Sequence, residues 1–136
     1  MTDQIGFVGA CISDHPEINT LCNQEFDEDI RISFSSFRAD ALSPELLSVL
    51  RKSKVKTATI APDAGSQRMR NIINKGITEE DVLHAAETLV AEGIPNLKLY
   101  FMVGLPLETM DDVDAIVTLC KRIKHRFLKS SRVRKR

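Results

Sequence analysis

The sequence contains no apolar run long enough to cross a bilayer and no signal-peptide pattern, so a soluble, cytoplasmic chain with no membrane partner is expected. Cysteine is scarce. Cys11, Cys22 and Cys120 form an odd, widely spaced set, which argues against a disulfide framework and gives no zinc-knuckle or cluster-loop spacing. Cys120 falls on the apolar face of a helix, where a thiol packs as a small hydrophobe. The formal net charge is zero, which removes any global reason to expect a nucleic-acid partner. There is no repeat of fixed period and no glycine-rich phosphate loop, which argues against an unrelated phosphate-binding barrel. Residues 1–29 hold seven acids and no Lys or Arg, whereas Lys and Arg crowd the stretch from Lys121 to Arg136. That basic end suits either RNA or a solvated helix face. The lack of interleaved aromatics favours the solvated face, so nucleic acid is the less favoured partner.

What is present is enough for one domain with a useful core, at 136 residues. Strand-like runs begin near Ile5, Ile30, Lys56 and Leu97. Leu97–Val103 is almost continuously apolar and suits a strand covered on both faces. Helix signals lie between the strands. Pro16–Asn23 presents Ile18, Leu21 and Cys22 to one side. Ser43-Pro44-Glu45 is a helix start. Ser66–Ile73 places Met69, Ile72 and Ile73 inward. Thr78 with Asp81, and Thr109 with Asp112, match the capping box. Gly93 is a helix stop. The last helix opens with Asp111, Asp112 and Asp114 and ends among Lys121, Arg122, Lys124 and Arg126, as the helix dipole favours. The order β-α-β-α-β-α-α-β-α predicts an α/β fold of parallel β/α repeats. Four such units make half of a TIM-like barrel. The expected organisation is one partial barrel over residues 1–128, followed by a basic, ragged end over 129–136.

Two strand ends carry the functional signal. Thr57-Ala58-Thr59-Ile60-Ala61-Pro62-Asp63-Ala64-Gly65-Ser66 and Leu97–Thr109 each stop at a small-residue turn with an acid and then enter a helix. Ligands of α/β folds sit at such carboxyl ends. An acid and helix N-terminal amides there can hold a polar ligand. Asp63 reads either as a ligand acid or as a helix N-cap. Gly104 reads as a close backbone approach or as a tight turn. Glu108 supports its own loop. Ser35, Ser36 and Arg38 end another strand. Arg38 suits a carboxylate ligand or an ion pair with Asp40. Asp14 and His15 suit a turn before Pro16 more than a substrate contact. Arg68 and Arg70 are read like the basic end, and His84 and His125 lack metal-ligand spacing.

Ala61-Pro62-Asp63-Ala64-Gly65-Ser66 with Arg68, Arg70, Asn74-Lys75-Gly76 and Thr78-Glu79-Glu80 resembles the fourth-strand region of the radical S-adenosylmethionine (SAM) superfamily. Met102-Val103-Gly104-Leu105-Pro106 with Glu108-Thr109 and Asp112 resembles its fifth-strand region. Ser35-Ser36-Phe37-Arg38 and Ser43-Pro44-Glu45 look like the third strand and following helix of an uncharacterised branch of the Elongator and methylthiotransferase group. Some members of that branch carry a cobalamin-binding domain. The resemblance spans about Ile5 to Phe127. It implies a parent enzyme that uses a [4Fe-4S] cluster to cleave SAM reductively to a 5′-deoxyadenosyl radical. It also implies SAM-positioning roles for Asp63 and Gly104, with Ser35, Ser36 and Arg38 as further contacts. Two departures stand out. Asp63 replaces the family's usual Glu, and the CxxxCxxC cluster loop is absent. The resemblance therefore implies a fragment that lacks the N-terminal cluster half, with the [4Fe-4S] cluster held in the parent only. The alternative is an inert half-barrel serving as a binding or assembly module. On either reading, the open edges of a half-barrel lead to the expectation of a homodimer.

Overall fold

The computed structural model describes residues 4–9, 12–23 and 30–134. Cys11, all four acids at 25–29 and the last two residues lie outside that set. Four strands and five helices follow the expected order: β1 (Gln4–Phe7), α1 (Ile18–Cys22), β2 (Arg31–Phe34), α2 (Pro44–Lys52), β3 (Thr57–Asp63), α3 (Gln67–Ile72), α4 (Glu79–Ala91), β4 (Asn96–Phe101) and α5 (Met110–Arg134). A 3-10 turn at Ile12–Asp14 precedes α1.

The strands are parallel, but they do not form one four-stranded half-barrel sheet. β1 pairs with β2, Gln4 opposite Arg31, and β3 pairs with β4, Thr57 opposite Asn96. One isolated bridge, Phe37 to Ile60, joins the two pairs, with the Phe37 N–H donating to the Thr59 carbonyl at 2.8 Å. The expected continuous sheet fails for a local reason. The Ile32 N–H of β2 is taken by Ser53 Oγ at 3.1 Å, and the Arg38 N–H by Ser13 Oγ at 3.0 Å. Side-chain hydroxyls thus satisfy donors that a longer ladder would use.

The caps follow the sequence chemistry. Ser43 Oγ accepts from the Leu46 N–H, and Ser66 Oγ from the Met69 N–H. Thr78 and Asp81 form a full capping box. Gly93, at φ 96°, follows α4 in the left-handed region. The core lies between β3 and helices α2, α4 and α5, where Leu46, Leu50, Ile60, Leu83 and Leu119 are almost wholly buried. Each such side chain contributes about 1.5–3 kcal/mol relative to exposure.

Three expectations need correction. β4 is not covered on both faces: Asn96, Lys98 and Tyr100 are exposed, while Leu97, Leu99 and Phe101 are half-buried against the core. Its outward face has no layer over it among the described residues. In α3, Met69 is buried but Ile72 points outward, and Arg70 takes the inward place. Helix α5 continues to Arg134, so residues 129–134 prolong it.

Candidate functional site

The end of β3 is irregular for identifiable reasons. Pro62 has no N–H to give, and the register of β3 against β4 shifts between Ile60 and Asp63. Asp63 then adopts φ 65°, a left-handed conformation that Asp tolerates better than most residues. Its carbonyl accepts the Met102 N–H at 2.8 Å, so the ends of β3 and β4 are joined directly.

A charged cluster surrounds Asp63. Lys75 Nζ lies 2.6 Å from Asp63 Oδ2. Asn74 and Gly76, both at positive φ, flank Lys75, and this double turn places it there. Arg38 Nη1 donates to the Lys75 carbonyl at 3.2 Å. Arg38 also grips Asp40 through two hydrogen bonds of 2.9 and 2.8 Å and lies 3.5 Å from Asp14. The guanidinium holds the Asp40 carboxyl below its ordinary range.

Two buried groups brace the turns. Arg70 is fully buried, and its Nη1 donates to the carbonyls of Ala64 and Gly65 at 3.0 and 3.1 Å. Its Nη2 reaches Gln67, while its Nε has no partner. Burial pushes the guanidinium down, opposed by the charge of Glu79. Asp112 accepts from Ser66 Oγ at 2.6 Å and pairs with Arg68. Arg68, Ser66 and Thr109 together hold its carboxyl far below the ordinary value.

The site residues named from sequence fall into place unequally. Asp63 and Arg38 meet through Lys75. Asp63 is not an N-cap, since Ser66 fills that position. Gly104 lies two residues beyond Met102 at φ 81°, with open space where a Cβ would stand, and its N–H donates to Glu108 Oε2 at 2.6 Å. Glu108 thus supports its own loop. Ser35 Oγ donates to the Gly9 carbonyl at 3.1 Å, which ties it to the loop after β1 rather than to Asp63. Ser36 is half-buried beside it. His15 Nδ1 accepts from the Glu17 N–H, a turn role. Arg122 and Arg126 pair with Glu79, Glu80 and Glu87 of α4, as a solvated helix face would. Sequence reasoning missed Lys75 as a partner of Asp63 and Arg70 as a buried brace. The Asn74-Lys75-Gly76 turn was the available signal for Lys75.

The two thiols among the described residues do not fit an iron-sulfur cluster. Cys22 is on α1 and Cys120 on α5, burial pushes both thiols up, and a cluster needs gathered thiolates. Among the described residues no three His, Cys, Asp or Glu side chains gather to hold a metal. No helix among them is long and apolar enough to cross a membrane.

The sequence model of the Radical SAM superfamily matches residues 2–120. An uncharacterized protein of Methanocaldococcus jannaschii is 39% identical over 127 residues, which cover 93% of this chain and 28% of that protein. The chain thus spans little more than a quarter of that relative's length.

Proposed function

The chain belongs to the radical SAM superfamily, and from that membership we propose that its β3 and β4 ends supply part of the SAM-binding surface of a larger enzyme. The observation that carries the reading is the placement of Asp63. It stands at a carboxyl strand end, left-handed, oriented by Lys75 and joined to the strand that leads to Gly104. Its carboxylate would accept the ribose hydroxyls. The open side of Gly104 leaves room for the adenine to meet backbone. Lys75 supplies a cation for the methionyl carboxylate, and Arg38 acts behind it through the Lys75 carbonyl. Ser35 and Ser36 support the neighbouring loop. When bound in the family, the [4Fe-4S] cluster supplies the electron that cleaves SAM. On this reading the cluster ligands, and with them the cleavage and the oxidoreductase chemistry, belong to the rest of the larger enzyme, since Cys22 and Cys120 stand on separate helices.

Titration of the chain with S-adenosylhomocysteine, followed by amide NMR shifts, tests the reading. Millimolar affinity is expected, about 4 kcal/mol. Asp63→Asn keeps a residue that tolerates the left-handed region and removes the charge, so it should abolish the shifts. Unchanged affinity would exclude Asp63 as a ribose ligand.

A second reading, an assembly module without chemistry of its own, draws on the uncovered face of β4. Tyr100, Met102, Val103 and Leu107 are exposed there and in the following loop, as is Met110 at the start of α5. Soluble chains use such patches for contacts.

A further inference from the structure

Loops leave β3 and β4 side by side, and one carboxylate gathers both. Asp112, in the first turn of α5, is 4% exposed. From the start of α3 it accepts Ser66 Oγ at 2.6 Å and Arg68 Nε at 3.3 Å. From the β4–α5 loop it accepts the Thr109 N–H at 2.9 Å and Thr109 Oγ1 at 2.8 Å. Arg68 Nη2 also pairs with Asp112 and donates to the Leu107 carbonyl at 2.8 Å.

Helix capping accounts for the Thr109 contacts. It does not account for Arg68. That side chain is 49% exposed and is free to extend into water, yet it reaches from α3 to the loop that carries Gly104. Little else holds this loop. Val103 and Leu107 are exposed, Leu107 has a left-handed φ of 66°, and the Gly104–Glu108 bond lies within the loop itself.

We infer that Arg68 and Asp112 are a positioning pair, which sets the Gly104 loop against the Asp63 turn without touching the ligand. The inference rests on the reading of these strand ends as a SAM surface. A loop ordered before the ligand arrives does not have to be ordered by it, so affinity rises.

The experiment uses the chain, S-adenosylhomocysteine and amide NMR. Arg68→Gln should weaken binding about fivefold, the net scale of one ordinary hydrogen bond, and should shift the amides of residues 104–109 before ligand is added. Arg68→Lys retains the charge but not the two-pronged reach, and should fall between wild type and Gln. Ser43→Ala instead removes the cap on α2, a helix that packs against α1 and β2. It should lower the melting temperature without changing affinity, which separates positioning from general stability. Wild-type affinity in Arg68→Gln with shifted loop amides would overturn the dependence of binding on the pair. Unmoved amides at 104–109 would overturn the pair itself. If the wild-type chain shows no ligand shifts, the SAM reading falls, while displaced loop amides in Arg68→Gln still support the positioning pair.

Discussion

A methyl group added at Gly65 would stand 2.3 Å from the Ile116 nitrogen and 2.7 Å from the Ala115 carbonyl carbon. Those neighbours are backbone of α5, so no side-chain rotation relieves the clash. Gly65→Ala should therefore destabilise the chain by about 1–3 kcal/mol or more, read as a lower denaturant midpoint. An unchanged midpoint would show that α5 does not rest on this turn. Asp112 leads to a separate expectation. Its carboxyl titrates far below the ordinary value in the folded chain, and near about pH 4 in the unfolded one. Its contribution is then complete above about pH 4 and is lost as the pH falls toward the folded value. Wild type should be more stable than Asp112→Asn at neutral pH, and the gap should close on acidification. A gap independent of pH would assign the effect to shape rather than charge.

Elements with local chemistry were legible in the sequence. Ser43-Pro44, the Thr78–Asp81 box and Gly93 all sit where their side-chain or backbone preferences place them, because capping depends on residues three or four apart, whereas the α3 cap fell to Ser66 rather than to Asp63. Alternation of strand and helix also gave the parallel pairing. Helix α3 was less legible. Six residues make fewer than two turns, so its apolar spacing does not distinguish Ile72 from Arg70 as the inward residue. What draws Arg70 inward is a pair of carbonyls at the preceding turn, invisible to any pattern of hydropathy. β4 misled for the opposite reason. Its Leu, Tyr and Phe fit a doubly covered strand, but the layer on one side is missing among the described residues. At the site, Asp63 and Gly104 stood out by their position at strand ends. Lys75 did not, because twelve residues and a helix separate it from the acid it meets.

At the scale of the whole molecule, and among the described residues, β4 has a free edge and an uncovered face, and β1 is paired on one side only. Val8, at 86% exposure, follows β1. We propose that the isolated chain self-associates through these edges, as unpaired strands and apolar patches favour. Sedimentation over a concentration series should show a dimer growing with concentration. A monomer at the highest concentration would defeat the proposal.

The lone bridge between Phe37 and Ile60 also bears on how the chain finds its fold. Gln4 meets Arg31 across 27 positions, and Thr57 meets Asn96 across 39. Each pair closes over its own crossover. Loop-closure entropy grows only slowly with length, so the two searches are of similar difficulty. We propose that the seam between the pairs divides one long conformational search into two shorter ones, with the bridge as the last piece to set; protection of the Phe37 amide ahead of the β3 amides during refolding would defeat this.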